Sequence, residues 1–348
     1  MKILRFILFP FALIYGAITV LRNGFYGVGI FNSSKFSLPI INVGNLSTGG
    51  TGKTPHTEYL IHLLKEKKNL FTLSRGFGRK ERGFIIANEN STAKQIGDEP
   101  LQYYKKFGDE IGVAVEANRV NGVIEICRSH PDTELVLLDD AFQHRAIYAG
   151  LNILITDYSR PFYADFIMPV GNLRELRRGK NRADIIVVSK CPNFKEVSKD
   201  AILLKLRPKA NQYIFFSRIK YGSIFELYNE SQMSEVAYRN IILVSGIANA
   251  KPLVNHLAKN NSILHHFNFN DHYNFKQTDI TEIHNLFDKF AGENPMIIAT
   301  EKDAMRLLNK DFTSTIQKYP WFYQSIEIEL DNEIEFNEIV NHYVEKNS

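Results

Sequence analysis

The stretch Ser47-Thr48-Gly49-Gly50-Thr51-Gly52-Lys53-Thr54 constrains this chain more than any other. An apolar run rich in β-branched residues, Leu38 to Val43, precedes it. A helical pattern with Tyr59, Leu60, Leu63 and Leu64 on one face follows. Strand, glycine loop and helix in that order predict a phosphate-binding loop, because successive backbone N–H groups and a helix N-terminus converge on an anion. The spacing brings Lys53 to the β- and γ-phosphates and the Thr54 hydroxyl to Mg²⁺, so ATP and magnesium are the expected ligands. Ser47 stands where the pattern usually has its first glycine, which leaves Gly49 and Gly50 to supply the unusual dihedrals. The plain alternative is a glycine-rich turn that binds nothing.

The 348 residues predict two domains or one large one, and an apolar share of 44% can fill a sizeable core. A net charge of +4 is too weak to argue for nucleic acid, and no feature calls for an obligate protein partner. Cys127 and Cys191 lie far apart without metal spacing, so a reducing compartment fits.

From Leu38 to about Val188 strand and helix patterns alternate. Strands are predicted at Leu38–Val43, Leu70–Leu73, Gly112–Val115, Leu135–Leu138, Asn152–Ile155 and Ile185–Val188. Such alternation implies an α/β fold, a P-loop NTPase-like mainly parallel sheet sandwiched by helices, with ligands at the carboxyl ends of the strands. Polar segments stand at those ends: Ser74-Arg75-Gly76-Phe77-Gly78-Arg79, Asp139-Asp140-Ala141-Phe142-Gln143-His144-Arg145 and Ser189-Lys190. The apolar run ending in Asp139-Asp140 is a Walker B pattern, with a carboxylate that can reach the magnesium held by Thr54. Neighbouring strand residues point to opposite faces, so which aspartate ligates directly stays open. A basic loop follows between Gly171 and Arg182, with Arg174, Arg177, Arg178, Lys180 and Arg182. It is either a solvated face or a site that captures anionic groups.

The organisation expected is an N-terminal helix over 1–30, a kinase domain over 31–207 and a smaller α/β domain over 208–348 that carries His272. Phe6 to Leu21 is uncharged and apolar, with Lys2 and Arg5 before it and Arg22 after it. At 16 residues it is short for a span of about 20, so it reads as a monotopic anchor or as a helix packed on the body. Beyond Arg207, strands are expected at Asn240–Val244 and Pro295–Ala299, the latter followed by the capping pair Thr300 and Asp303.

Asp98, in Gly97-Asp98-Glu99-Pro100, has a plain reading as a helix cap, and His272, in Asp271-His272-Tyr273, as a loop histidine. Together they supply a base and its orienter for a substrate hydroxyl.

These motifs, in this order, resemble the tetraacyldisaccharide 4′-kinases, the lipid A 4′-kinases of Gram-negative bacteria. The resemblance rests on Gly44 to Pro55, Ser74 to Arg79, Gly97 to Pro100, Asp139 to Arg145, Asp271 to Tyr273 and Thr300 to Asp303, and covers nearly the whole chain. It accounts for Ser47, since that family's loop also has serine there. It implies phosphoryl transfer from ATP to the 4′-hydroxyl of an acylated glucosamine disaccharide 1-phosphate, at the cytoplasmic face of the inner membrane. By position, Asp98 matches the family's catalytic aspartate and His272 its partner. Lys53 and Thr54 match the Walker A pair, and Asp139 and Asp140 the magnesium pair. Arg75, Arg119, Gln143, His144, Arg174, Arg177 and Arg178 are expected to face substrate. Phe77, Ala141 and Asn172 depart from the family pattern, and Ala141 should restrict the turn after the aspartates. The alternatives are a membrane-associated P-loop ATPase or switch without an acceptor, and a kinase of another small hydroxylated substrate. Ser189-Lys190-Cys191-Pro192 lacks the aspartate of a guanine signature.

Overall fold

In the computed structural model of the chain, residues 6–228, 240–308 and 310–347 are described. Lys2 and Arg5, expected to flank the N-terminal helix, lie outside them. The chain divides into two compact units. The first comprises 1–91, 95–219 and 328–348, and the second 92–94 and 220–327.

The first unit is built on β1 (Ile40–Gly44), β2 (Leu70–Ser74), β3 (Ile85–Ile86), β4 (Gly112–Val115), β5 (Leu135–Asp139), β6 (Leu151–Asp157), β7 (Ile185–Ser189) and the first half of β8 (Tyr213–Glu226). Their order across the sheet is β8-β7-β6-β1-β5-β2-β4-β3. Among the described residues these neighbours pair in parallel, except β3 with β4, which is antiparallel. Runs such as Ile185-Ile186-Val187-Val188 are buried along their whole length, as strands covered on both faces must be. One face packs Phe71, Leu73, Val136 and Leu138 against Val123 and Ile126 of the helix Arg119–Ser129. A second cluster joins Leu46, Phe142, Leu154, Ile186 and Leu206. The six strands expected from the sequence all form: β4 has the expected bounds, β1 begins two residues later and ends one later, and the other four are longer by one to three residues.

The helix Phe9–Gly27 lies on this unit with one face. Ala12 and Gly16 are buried, Tyr15 Oη donates to Arg174 O at 2.8 Å, and Asn23 Nδ2 donates to Glu175 Oε2 at 2.9 Å. The other face leaves large apolar side chains in solvent: Phe11 is 62% exposed, Ile14 59%, Ile18 58% and Leu21 59%. Among the described residues no helix is long and apolar enough to cross a membrane.

The C-terminal helix Glu333–Asn347 also belongs to the first unit, although the expected division placed everything after residue 207 in the second. Phe336, Val340 and Val344 are buried, and Tyr343 Oη donates to Ile40 O at 3.0 Å. A chain that returns to its first unit after more than a hundred residues leaves no local sign of doing so.

The second unit holds β9 (Asn240–Ser245), β10 (Ser262–Asn268), β11 (Pro295–Thr300), β12 (Trp321–Leu330, to Glu327) and the rest of β8, in the order β10-β9-β11-β12-β8. β11, which pairs in parallel with both β9 and β12, is central, and β9 also pairs in parallel with β10. Here His284 is buried, stacked on Tyr319 at 3.7 Å, and its Nε2 accepts the Trp321 indole N–H at 2.8 Å. Burial pushes this imidazole down to about 4. The unfolded chain therefore binds a proton near pH 6.5 that the folded chain refuses until about pH 4, so stability falls as pH drops through that window. Urea unfolding at stepped pH should show this loss, with a slope up to one proton smaller in His284→Gln. An unchanged slope in the variant would remove His284 as its source.

Candidate active site

Ser47 is buried and bridges to Leu173 in a single antiparallel step, and Thr48 N donates to Asn172 O at 2.8 Å, so the basic loop seats the start of the glycine loop. The left-handed dihedrals fall on Gly49 (φ 98°) and Gly52 (φ 90°), not on Gly50. Gly52 caps the helix Lys53–Leu64, whose first residues Lys53 and Thr54 are half-buried. Thr51 is buried, and its hydroxyl accepts the Asn45 amide at 2.8 Å. The result is an exposed rim, Thr48 to Gly50, leading to a helix N-terminus, the geometry that receives an anion.

β5 lies beside β1 with Asp139 level with Val43. The strand ends at Asp139, and Asp140 takes φ 51° while its N–H donates to Val43 O at 2.9 Å. The positive φ thus falls on Asp140, a residue type that tolerates it, so Ala141 does not restrict the turn. Asp140 receives Arg174 Nη1 at 2.8 and 2.9 Å and lies 3.6 Å from Lys53 Nζ. Burial opposes ionisation there, but Lys53, Arg174 and Arg119 together hold the carboxyl below its ordinary range. Asp139 is buried. Its Oδ2 accepts the Tyr103 hydroxyl at 3.2 Å, while its Oδ1 has no hydrogen-bond partner. Burial, with the Asp140 carboxylate beside it, pushes Asp139 up to about 7 against Lys53.

Arg119 is 2% exposed, and its guanidinium clamps backbone, donating to Glu116 O at 2.7 Å, Ala117 O at 3.1 Å and Asp139 O at 3.4 Å. Its N–H donates to His144 Nε2 at 3.3 Å. Burial and the Arg119 charge push His144 down to about 4, which keeps that nitrogen an acceptor. Gln143 Nε2 donates to Asn45 O at 2.8 Å and to Glu175 Oε1 at 3.0 Å. Glu175, nearly fully buried, is paired with Arg182 at 2.7 Å. The basic loop is therefore divided. Arg174 faces the aspartates, Arg182 is tied to Glu175, Arg177 rests on Asp165 O at 2.8 Å, and Arg178 is exposed.

Asp98 opens the helix Asp98–Phe107, and Gly97, not Asp98, is the cap residue. Gly76 and Gly97 meet back to back, and a Cβ on Gly76 would lie 2.7 Å from Ile96 O. Only glycines allow this approach, which sets Asp98 beside the Ser74–Arg79 turn, where Arg75 is exposed. Gln102 and Lys106 of the same helix bind the buried Glu58 of the glycine-loop helix, each at 2.7 Å, so the two helices are fixed to each other.

His272 lies in the second unit at φ 58°, its N–H on Gly246 O at 3.1 Å. Lys302 Nζ is 3.2 Å from its Nε2, and Arg306 Nη2 is 3.3 Å from its Nδ1. Thr300 caps the next helix as expected, and the buried Asp303 accepts Gly246 N at 2.7 Å and Arg306 Nη1 at 2.7 Å. The sequence reading missed Arg306 as a neighbour of His272. Its only local signal was a position one helical turn after Asp303.

Hard oxygen donors, one of them buried and unpartnered, beside a second carboxylate fit a magnesium ion. Among the described residues no three His, Cys, Asp or Glu side chains form a ready-made metal cage. Magnesium needs none, since it keeps waters and takes one or two carboxylates.

A family model described as tetraacyldisaccharide-1-P 4′-kinase matches residues 4–345. A relative named tetraacyldisaccharide 4′-kinase from Flavobacterium johnsoniae is 45% identical over 324 residues, covering 92% of each chain. One of the same name from Bacteroides thetaiotaomicron is 40% identical over 357 residues, covering 98% of this chain and 93% of its own. The structure described as the apo form of LpxK from Aquifex aeolicus in complex with ATP superposes with a TM-score of 0.77 at 26% identity. It covers 98% of this chain and 99% of that one.

Proposed function

The chain belongs to the tetraacyldisaccharide-1-P 4′-kinase family, and we propose that its first unit holds ATP on Ser47–Thr54 while Asp98 and His272 activate the acceptor. Its activity is ATP-dependent phosphorylation of the 4′-hydroxyl of tetraacyldisaccharide 1-phosphate, a step in lipid A biosynthesis. Membership decides against the acceptor-free switch and the kinase of another small substrate.

The observation that carries this assignment of roles is the convergence of Lys53, Arg174 and Asp140 beside the unpartnered Asp139 Oδ1, at the mouth of the glycine loop. The loop N–H groups bind the phosphates, and Lys53 leaves Asp140 for the β- and γ-phosphates. Thr54, Asp139 and Asp140 would hold magnesium, which would neutralise phosphate charge. Asp98, oriented by His272, takes the proton from the 4′-hydroxyl. Arg119 acts as a positioning residue, since its guanidinium is committed to the carbonyl groups around Asp139. Arg75, Gln143, His144 and Arg174 border the acceptor side, and Arg177 and Arg178 meet anionic groups further out. Radiolabel transfer from ATP to a purified acylated disaccharide 1-phosphate, in wild type and Lys53→Ala, tests the assignment. Equal transfer by both would sink it.

The exposed row Phe11, Ile14, Ile18 and Leu21 supports monotopic attachment at the cytoplasmic face of the inner membrane, with the helix lying in the interface. Replacing Ile14 and Ile18 by Glu should move most of the protein from the membrane to the soluble fraction while ATP binding is retained. Unchanged membrane partition would place the attachment elsewhere.

A further inference from the structure

Three consecutive carbonyl groups of the glycine loop are each held by a side chain from outside it. Lys190 Nζ donates to Gly50 O, Ser189 Oγ donates to Thr51 O at 2.6 Å, and His56 Nδ1 donates to Gly52 O at 2.6 Å. A carbonyl only accepts, so His56 carries its proton on Nδ1, and its Nε2 accepts the Ser217 hydroxyl at 2.9 Å. Lys190 is itself fixed. Its ammonium lies 3.1 Å from Asp157 Oδ2, and Asp157, at the end of β6, also accepts the Ser159 N–H at 2.8 Å and hydroxyl at 2.6 Å. Lys190 takes φ 58°, and its Cε lies 3.8 Å from where a Cβ on Gly52 would stand.

Each peptide unit is planar, so a fixed carbonyl fixes the N–H on the other side of the same plane. Binding Thr51 O and Gly52 O therefore aims the Gly52 and Lys53 N–H groups. Holding Gly50 O sets the plane whose Thr51 N–H closes onto Gly49 O at 3.0 Å. A segment with glycine at 49, 50 and 52 would otherwise sample many conformations and lose that freedom when ATP arrives.

We propose that Ser189 and Lys190, with Lys190 anchored by Asp157, are positioning residues that hold the nucleotide loop in its phosphate-binding conformation before ATP binds. The segment that lacks the guanine-signature aspartate thus serves the phosphates instead of the base. The proposal rests on the reading of Ser47–Thr54 as the ATP cradle.

Mg·ATP titrated calorimetrically into the full-length protein tests it. Lys190→Met should raise the Kd and KM for ATP about tenfold, the worth of one charge-assisted hydrogen bond, and leave the KM for lipid within about twofold. Lys190→Arg, which keeps donors for both partners, should recover most of the affinity. Should Lys190→Met fail to fold, Ser189→Ala, which loses a neutral hydrogen bond, should raise the Kd and KM for ATP about fivefold with the lipid KM again within about twofold. ATP affinity unchanged within about twofold in the folded variant, or a change confined to kcat or to the lipid KM, would overturn the proposal. Lys53→Ala separates the two levels: loss of affinity there but not at Lys190 defeats the clamp alone. No loss at either defeats the cradle.

Discussion

Asp98→Ala and His272→Ala should each lower kcat by ~10²- to 10⁴-fold, the usual worth of a positioned general base. The double variant should be little worse than the poorer single one, because residues that act as a unit are not lost twice. ATP affinity should persist in all three, since neither residue belongs to the glycine loop. The competing structural roles predict much less. Gly97 is the cap residue of the helix that Asp98 opens, and a purely structural role for the Asp98 carboxylate in that first turn would appear as lost stability with kcat nearly intact. His272 is about one-third exposed, and Arg306 would still be held by Asp303 and Gly246. Single-turnover kinetics at saturating lipid separate these outcomes. Strictly multiplicative losses in the double variant would show that the two residues act independently.

Asp139→Ala, Asp140→Ala and Lys53→Ala should each cost at least ~100-fold in turnover, because Lys53 brings positive charge to the transferring phosphates and the aspartates would hold the magnesium that does the same. The variants should differ in kind. Lys53→Ala removes a charge from ATP itself and should act at any magnesium concentration. The aspartate variants should be partly recovered by excess magnesium, since a site that loses one carboxylate binds the ion more weakly. Asp140→Ala also frees Arg174 and Lys53 from their shared partner, whereas Asp139→Ala removes the buried carboxylate that costs most to ionise. Turnover measured against magnesium in all three decides the matter. Near-wild-type rates in both aspartate variants would remove the pair from metal binding.

Much of this site is legible without a structure because its motifs are local. A phosphate loop needs consecutive residues between a strand and a helix, so Ser47–Thr54 announces itself, as does Asp139-Asp140 at the end of an apolar run. Buried parallel strands read as unbroken apolar stretches, and all six predicted in the first unit are present. β8 and β12 escaped notice because charges interrupt them. Arg218 meets Glu329 at 2.8 Å and Lys220 meets Glu327 at 3.3 Å, and such cross-strand pairing has no linear signature.

Sequence by itself therefore determined the α/β class, the strand–glycine loop–helix unit, the adjacent carboxylates at the end of β5 and the family, since each depends on residues that stand together along the chain. Only the tertiary structure decided that Arg119 serves backbone carbonyl groups, that Arg174 alone of the basic loop reaches Asp140, and that the C-terminal helix returns to the first unit. It also brought Lys190, Ser189 and His56 onto three successive loop carbonyl groups. The physical reason is common to all of these. Polar groups need partners once the chain is folded, and folding brings those partners from any distance along it, here 140 residues for Lys190 and Gly50 and 303 for Tyr343 and Ile40.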